Sequence, residues 1–256
     1  MISPGILLAA AGDERFASAL SASGVDRVIA YHSSVYRGLG LPSVAGLLPW
    51  ASANSQTLGV LPGVIAGAGS TPVIATVCAN DGLLPRAQML ERVRAAGSAG
   101  VLNAPTVGFY EGTMRSVLEA EGLGRDTEIQ LIRDAIAVGL EAWAYVFDPE
   151  WARRAAEAGA TGVIVHLGIT GYPSLTDGEA CVAAAKAAGA EQILLHGGSL
   201  RDPQAFRAEL ERYDPIASNA VTGYMGASVF ERTDDLTATV QGWRTATTRL
   251  ESGATR

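Results

Sequence analysis

The chain has 256 residues, of which 48% are hydrophobic and 18% are charged, and its formal net charge is −7. This composition is typical of a globular protein and excludes a disordered chain, and no apolar run reaches the roughly 18 residues of a membrane-spanning helix. The acidic balance argues against a nucleic-acid or anionic-membrane partner, and two cysteines are too few for a disulfide framework or a cysteine-based zinc site.

Apolar runs alternate with helical stretches along the whole chain. The apolar start, residues 1–10, lacks the basic segment of a signal peptide, so we interpret it as a first strand and expect a cytoplasmic protein. Helical stretches end at a small residue followed by glycine, as at Ser23-Gly24, and an apolar run begins soon after. The pattern predicts strands near residues 5–10, 27–32, 72–77, 100–103, 141–146, 162–166, 192–196 and 219–223.

Helix starts are marked between these strands. Asp148-Pro149 and Asp202-Pro203 each place an N-cap acceptor before a proline at the first helical position, and Thr127-Glu128-Ile129-Gln130 has the spacing of a capping box. Eight strand–helix units in a chain of this length predict one closed (β/α)8 TIM barrel over residues 1–256, with a frayed tail from about residue 252. An open, doubly wound sheet is the alternative.

Polar residues concentrate where the predicted strands end, which is the face that carries the active site in such barrels. The chain has only three histidines, His32, His166 and His196, and all three lie at this face. Histidine titrates near neutral pH and suits proton transfer, so we expect all three to be catalytic, chiefly His166 and His196. The alternative is a set of hydrogen-bonded, half-buried histidines that only cover the barrel end.

Two glycine-containing loops follow the last two predicted strands. Gly197-Gly198-Ser199 follows the seventh, and Gly226 and Ser228 lie in the loop assigned to the eighth. In barrels these loops often bind a phosphate through backbone N–H groups, so we expect them to bind an anionic substrate. The alternative is that the glycines only make tight turns.

The second connection, residues 33–54, is long enough to be a lid or a binding loop. Its Arg37 could hold a substrate carboxylate through two parallel hydrogen bonds, or it could lie at a subunit interface. Trp50 is either a lid anchor or a packing residue. The remaining residues expected to orient the substrate are Tyr31, Ser33, Ser43, Asn103 and Tyr145.

Asp81 follows the third predicted strand and is the one candidate for binding Mg²⁺ or acting as a general base. The alternative is that it caps the predicted helix over residues 83–96. The chain has no dinucleotide fingerprint, so no NAD is expected, and no histidine pair with the spacing of a structural zinc site. Lys186, the only lysine, falls within a predicted helix, which argues against pyridoxal phosphate.

Several blocks of the sequence are familiar as an ordered set. They are Tyr31-His32-Ser33-Ser34-Val35-Tyr36-Arg37, Ser43-Val44-Ala45-Gly46-Leu47-Leu48-Pro49-Trp50, Ala53-Asn54, Pro72-Val73-Ile74-Ala75, Val77-Cys78-Ala79-Asn80-Asp81, Gly100-Val101-Leu102-Asn103-Ala104-Pro105-Thr106-Val107-Gly108, Ala144-Tyr145-Val146-Phe147, His166-Leu167-Gly168, His196-Gly197-Gly198 and Gly226-Ala227-Ser228-Val229-Phe230-Glu231-Arg232. Together they resemble the phosphoenolpyruvate hydrolase-like family of TIM-barrel proteins, over about residues 5 to 245.

The resemblance implies a barrel related to phosphoenolpyruvate mutase and isocitrate lyase, which make or cleave C–C or P–C bonds beside a 2-oxo acid with Mg²⁺. It implies that residues 43–54 form the gating loop and that the chain forms a homo-oligomer. Two positions depart from the family pattern. His32 stands where Asn is expected, and Ala51-Ser52 stands where Gly-Asp is expected, so a carboxylate that is an acid/base group in relatives is replaced by a serine that cannot act as a base.

Our first hypothesis is therefore a lyase or hydrolase that cleaves a C–C or P–C bond of a small anionic 2-oxo acid or enol-phosphate-like substrate through an enolate, in a specialised pathway. The second is a non-catalytic ligand sensor or interaction module on the same barrel, which the missing lid aspartate favours. The third, an isomerase of a phosphorylated sugar, depends only on the glycine-containing loops. The fold alone does not choose among them.

Overall fold

Eight parallel strands hydrogen-bond in chain order and close on themselves in a computed structural model that describes residues 2–3, 5–48 and 51–250. The strands are β1 (Ile6–Ala11), β2 (Arg27–Ala30), β3 (Val73–Val77), β4 (Gly100–Asn103), β5 (Glu141–Val146), β6 (Gly162–His166), β7 (Ile193–His196) and β8 (Gly223–Gly226). Closure comes from the pairing of β8 with β1, in which Gly226 lies opposite Ala9. The prediction of a (β/α)8 barrel is confirmed, and the open sheet is wrong.

Helices surround the barrel and connect its strands. They are α1 (Glu14–Ser23), α2 (His32–Gly38), α3 (Ala53–Ala68), α4 (Arg86–Ala95), α5 (Gly112–Ala120), α6 (Arg125–Ala137), α7 (Pro149–Glu157), α8 (Gly178–Ala187), α9 (Pro203–Glu211), α10 (Pro215–Ala220), α11 (Ser228–Glu231) and α12 (Leu236–Thr247). Short 3-10 turns cover Ser43–Leu47 and Val107–Phe109, and Ile2–Ser3 pairs antiparallel with Arg249–Leu250. Within the described ranges, no helix is long and apolar enough to cross a bilayer.

The core has two layers because side chains alternate between the two faces of each strand. One face packs outward against the helices, with Leu7 and Ala9 of β1 as examples. The other face fills the barrel interior, with Leu8 of β1, Ile164 of β6 and Leu194 of β7 all fully buried there. This alternation also decides which side chains emerge at the carboxyl end of the barrel.

Two of the predicted helix starts are confirmed. Asp148 and Asp202 accept hydrogen bonds from the backbone N–H groups of Trp151 and Ala205, as N-cap residues do. The capping-box prediction is wrong, because α6 begins at Arg125 after Gly124 and the Glu128 carboxylate is directed elsewhere. The predicted helix over residues 83–96 begins later, at Arg86.

The eighth strand is the largest error in the predicted elements. Residues 219–223 were expected to be extended, but Asp214 caps a short helix, α10, with Pro215 at its first position, and β8 begins only at Gly223. Gly226 therefore ends the strand rather than lying in a loop after it. Trp50 and the tail from residue 252 lie outside the described residues.

Candidate active site

Strand alternation brings both predicted catalytic histidines into the barrel mouth. Ile164 and Leu194 face the interior, so the residues two positions later, His166 and His196, face the same way. The two histidines lie directly opposite each other in the β6–β7 register, and their ring centroids are 4.5 Å apart with the rings nearly perpendicular. Tyr145 of β5 reaches the same mouth by the same rule.

Backbone hydrogen bonds give the two rings complementary protonation. His196 Nδ1 lies 2.8 Å from the Met225 carbonyl oxygen, which only accepts, so Nδ1 carries the proton and Nε2 is left as an acceptor. His166 Nδ1 accepts the Gly168 N–H at 3.1 Å, so the neutral ring carries its proton on Nε2. One ring therefore offers a donor and the other offers a base.

The surroundings keep both rings neutral. His166 stacks on Phe147 at 4.7 Å and meets the edges of Phe109 and Tyr145, while Tyr145 also stacks on His196 at 5.3 Å. Burial lowers the pKa of His166 well below its usual value, and the neighbouring His196 adds to the effect. Burial likewise lowers the pKa of His196 to about 4, against the opposing hydrogen bond to Met225.

Tyr31 and Tyr145 add two phenols to the same mouth. Tyr31 follows β2 and precedes α2, and its hydroxyl interacts with those of Tyr145 and Ser33. Burial raises the pKa of both tyrosines, so both stay protonated and can donate hydrogen bonds. Tyr145 Oη lies 3.2 Å from the Met225 sulfur.

His32 begins α2 rather than ending a strand, and it is held by the loop that covers the site. Its Nε2 lies 3.2 Å from the Gly46 carbonyl oxygen and 3.0 Å from Ser33 Oγ, so Nε2 carries the proton. Among the described residues, its Nδ1 has no hydrogen-bond partner although it is buried. Burial lowers the pKa of His32 to about 4, so this ring is also neutral.

The turn Ser43–Leu47 closes over the site because Gly46 lacks a side chain. A Cβ at Gly46 would lie 2.1 Å from Ser33 Oγ, which is too close for any packed side chain, and 3.2 Å from His32 Nε2, which is a tight contact. Ser43 and Leu47 of this turn reach the cavity wall. The expected gating loop over residues 43–54 is divided between this turn and the start of α3 at Ala53, and residues 49–50 lie outside the described residues.

Arg37 is already paired within the chain. Its Nε and Nη2 form a two-point ion pair with the Glu231 carboxylate, and Ser34 Oγ contacts both groups, at 2.8 Å from Arg37 Nη2 and 2.6 Å from Glu231 Oε1. The Arg37 side chain is 5% exposed and that of Glu231 is 13% exposed. Arg37 therefore binds a carboxylate of its own chain. This corrects the expectation that its guanidinium group is free to bind a substrate carboxylate.

These side chains line a narrow cavity of about 40 Å³ at the carboxyl end of the barrel. Nine of the sequence-predicted site residues lie in its wall: Tyr31, His32, Ser33, Arg37, Ser43, Tyr145, His166, His196 and Ser228. Sequence reasoning missed Thr106, Phe109 and Thr170, which also line it. Arg37 is the only charged side chain in the described part of this wall.

Asp81 does not join the histidines. Its Oδ2 accepts a hydrogen bond from Ser52 Oγ at 2.7 Å, and its Oδ1 accepts the Leu83 N–H at 2.9 Å. Ser52 in turn caps α3 by accepting the Ser55 N–H. The serine that replaces the expected lid aspartate therefore fits Asp81, whereas a carboxylate there would meet like charge.

Asn103 is also used inside the protein. Its Oδ1 accepts the Tyr145 N–H at 2.6 Å, and its Nδ2 donates to the Tyr145 carbonyl and to Glu128. It positions β5 and does not line the cavity, contrary to its expected contact with substrate. Glu128, which the sequence analysis assigned to a helix cap, is buried and also accepts from Thr106 and from the Val107 N–H.

Of the loop residues expected to bind an anion, Ser228 lines the cavity, whereas Gly197, Gly198, Ser199 and Gly226 do not. The Gly198 N–H donates to the Gly168 carbonyl at 2.9 Å, so it is not free for an anion. Gly197 and Gly198 both have positive φ, and a Cβ on Gly197 would meet the Gly168 oxygen at 2.1 Å. Ser199 is exposed, and Gly226 lies in β8 against the Phe230 ring. Packing between loops therefore explains these glycines better than phosphate binding does.

Proteins bind Mg²⁺ through one or two carboxylates, with waters and substrate oxygens as the other ligands, and no carboxylate lies in the described wall of this cavity. In the ranges that the structure covers, no group of three or more His, Cys, Asp or Glu side chains is placed to hold a metal. Asp81, the expected ligand, is occupied by Ser52 and Leu83, and Glu231 is occupied by Arg37. The expected Mg²⁺ is therefore not matched by a free carboxylate among the described residues of the site.

The sequence matches a known family and known relatives. A family model described as phosphoenolpyruvate hydrolase-like matches residues 3–244. Two proteins of Solanum lycopersicum, the ToMV susceptible protein tm-1(GCR26) and the ToMV resistance protein Tm-1(GCR237), are each 34% identical over 255 residues that cover 93% of this chain. The chain spans 33% of the length of each of these relatives.

Solved structures share the barrel at low sequence identity. Thiamine phosphate pyrophosphorylase from Pyrococcus furiosus has a TM-score of 0.56 at 12% identity, with 95% of each chain covered. 3-Hexulose-6-phosphate synthase from Salmonella typhimurium has a TM-score of 0.55 at 15% identity, with 94% of this chain and 98% of that chain covered. At these identities the likeness concerns the fold alone.

Proposed function

The chain belongs to the phosphoenolpyruvate hydrolase-like family, and from this premise we propose that it is an enzyme, a lyase or hydrolase that cleaves a C–C bond of a small anionic 2-oxo acid through an enolate. The observation that carries the proposal is the pairing of His166 and His196, in which one neutral ring donates from Nε2 and the other accepts at Nε2. Enolate chemistry needs both a base and a donor at the oxygen where charge develops.

The two histidines have different roles in the proposed reaction, His196 as the base and His166 as the hydrogen-bond donor. In a lyase, His196 Nε2 takes the proton of a hydroxyl on the carbon beyond the scissile bond. The bonding pair then moves into the 2-oxo acid part to form an enolate, whose oxygen accepts a hydrogen bond from His166 Nε2–H. The proton on His196 finally passes to the enolate carbon. In a hydrolase, His196 Nε2 takes the proton from a water molecule instead, and the resulting hydroxide adds to the carbonyl carbon beyond the scissile bond.

The low pKa of His196 suits these proton transfers only when substrate is bound. Burial makes the empty site unfavourable for an imidazolium, so the ring is held ready in its base form at neutral pH. A substrate carboxylate within a few ångströms stabilises the imidazolium and raises the pKa of the ring. The anion therefore supplies part of the basicity that its own cleavage requires.

The charge of the cavity favours C–C over P–C cleavage. A phosphonate or enol phosphate carries up to two negative charges, and burying them requires matching donors or cations. Arg37 is the one charged side chain of the described wall, and Glu231 already compensates it. A monoanionic 2-oxo acid, met by the Tyr31, Tyr145 and Ser33 hydroxyls, suits this wall better.

Ligand binding and turnover test the proposal. We expect pyruvate or 2-oxobutanoate to raise the melting temperature more than phosphonopyruvate does. A ligand at about 100 times its Kd raises the free energy of unfolding by roughly 2.7 kcal/mol, so the shift is measurable. We also expect 4-hydroxy- or 4-oxo-2-oxo acids to release a shorter 2-oxo acid, followed by a coupled reductase assay. His196→Asn, which keeps a donor for Met225, should abolish turnover, whereas the exposed control Gly59→Ala should not. Equal turnover in both variants would overturn the assignment.

A ligand-sensing module is the second candidate. The names of the Solanum lycopersicum relatives describe resistance and susceptibility to ToMV rather than a reaction. Ser52 stands where the resemblance to the family implies an acid/base aspartate. This function predicts binding of the same anions without turnover. A homo-oligomer and a cytoplasmic location stay predictions.

A further inference from the structure

A second, wider cavity opens beside the histidine cavity. It encloses about 350 Å³, compared with about 40 Å³ for the first. Leu47 of the covering turn and Pro105, Thr106 and Phe109 of the loop after β4 form the wall between them and line both. The two cavities are therefore neighbouring parts of one barrel mouth rather than separate surface features.

We infer that the substrate has two parts, a small polar 2-oxo acid head in the histidine cavity and an apolar arm beyond the scissile bond in the second cavity. This inference rests on the proposed function, because it assigns the head to the histidine pair. It adds the class of group attached beyond the bond that is cleaved.

The chemistry of the second wall supports an apolar arm. Val107, Leu118 and Leu123 line it together with the aromatic rings of Phe109 and Tyr110. No Asp, Glu, Lys or Arg contributes to the part of this wall that the structure describes. Such a surface gains free energy from methylene groups, at about fourfold in affinity for each one that is fully buried.

Asn80 adds a polar requirement to the arm. It lines the second cavity, and its Oδ1 is buried without a hydrogen-bond partner among the described residues. An unpaired buried acceptor is costly, and a hydroxyl or N–H group on the ligand would remove the cost. The arm is thus expected to be mainly apolar with one hydrogen-bond donor along its length. Cys78 lies in the same wall, and burial raises its pKa to about 11, so it is a neutral thiol there.

A chain-length series tests the inference on the intact protein. Calorimetric titration with straight-chain 2-oxo acids from pyruvate to 2-oxooctanoate should show Kd falling by up to about fourfold per methylene until the cavity is full. Leu123→Glu, which places a carboxylate in the apolar wall, should flatten this dependence while leaving pyruvate binding unchanged. Leu39→Glu is the matched control, because Leu39 is a 73% exposed leucine that lines neither cavity.

A separate experiment tests the hydrogen-bond requirement. Between 2-oxo acids of equal length, the wild type should prefer one that carries a hydroxyl on the chain, and Asn80→Leu should lose that preference. Short 2-oxo acids that bind without any chain-length dependence would overturn this inference and leave the proposed function standing. Failure of every 2-oxo acid to bind would overturn both.

A second copy of the chain is the competing occupant of this cavity. Sedimentation distinguishes it from a substrate arm, because Leu123→Glu would then dissociate an oligomer that Leu39→Glu leaves intact. Dissociation together with an unchanged chain-length dependence would assign the cavity to an interface and overturn the inference. An unchanged sedimentation coefficient with a flattened dependence supports it.

Discussion

Arg37 of α2 and Glu231 of α11 form a forked ion pair across the barrel mouth although they are 194 residues apart in the chain. The pair joins the segment after β2 to the segment after β8, at the seam where the barrel closes. It also neutralises the one cation of the described cavity wall. The same contact therefore joins the two segments and reduces the positive charge that the cavity wall presents.

Glu231→Gln should separate these two effects. Loss of the carboxylate leaves Arg37 buried with a weaker partner, so we expect the free energy of unfolding to fall by about 3–5 kcal/mol. The freed guanidinium charge should at the same time lower the Kd for pyruvate. Urea unfolding and calorimetric titration measure the two quantities.

The control for that variant is Glu150→Gln, which removes one partner of the exposed pair Arg153–Glu150. Exposed pairs contribute little, so the expected loss is below about 1 kcal/mol with no change in pyruvate binding. A Glu231→Gln protein as stable as the wild type would contradict the view that this pair stabilises the rim.

The protonation of the two central histidines can be read directly by nitrogen NMR of the free protein at pH 7. His196 should carry its proton on Nδ1, since it donates to Met225, and His166 on Nε2, since its Nδ1 accepts from Gly168. Both rings should stay neutral at pH 6, because burial lowers their pKa values. The same tautomer on both rings would contradict the donor–base division proposed for them.

Gly46→Ala should displace the covering turn. The new Cβ would lie 2.1 Å from Ser33 Oγ and 2.9 Å from Ser33 Cβ, so the turn must shift, at a cost of about 1–3 kcal/mol. We expect faster amide hydrogen exchange over residues 43–48 and weaker binding of 2-oxo acids.

Gly59→Ala is the matched control, since nothing lies within 4 Å of its added Cβ in the exposed middle of α3. Replacing a helical glycine by alanine should stabilise the protein by about 0.5–1 kcal/mol and leave exchange at the turn unchanged. Equal exchange in the two variants would show that the turn does not depend on Gly46.

Local patterns predicted the parts of this molecule that depend on neighbours in sequence. Alternating strands and helices gave the barrel, and the position of His166 and His196 at strand ends placed both at the mouth. The Arg37–Glu231 pair and the Asn103–Glu128 contact join segments far apart in the chain, so no local pattern contains them. Asp214-Pro215 is a helix start of the same kind as Asp148-Pro149, and the helix it begins occupies residues where the apolar pattern predicts the eighth strand.

Stability should fall as the pH drops below 6.5 because of the three buried histidines. Their folded pKa values lie below the ordinary value of 6.5, to about 4 for His32 and His196. The unfolded chain therefore binds protons between about pH 6.5 and 4 that the folded chain does not, and unfolding becomes easier there. Urea unfolding at a series of pH values should show this loss, and His32→Asn should reduce its slope. An unchanged slope in that variant would contradict the burial of a neutral His32.

Glu128 should make the free energy of unfolding depend on pH in the opposite direction. Burial raises its pKa to about 7, although hydrogen bonds from Val107, Asn103 and Thr106 act against the shift, whereas in the unfolded chain its carboxyl ionises near 4.5. The folded protein therefore holds a proton between about pH 4.5 and 7 that the unfolded chain releases, so this contribution is full below pH 4.5 and is lost as the pH rises to 7. The difference in unfolding free energy between the wild type and Glu128→Gln should shrink over that range by a few kcal/mol. A difference that grows with pH would mean that the three hydrogen bonds outweigh burial and that Glu128 is ionised beneath the wall shared by the two cavities.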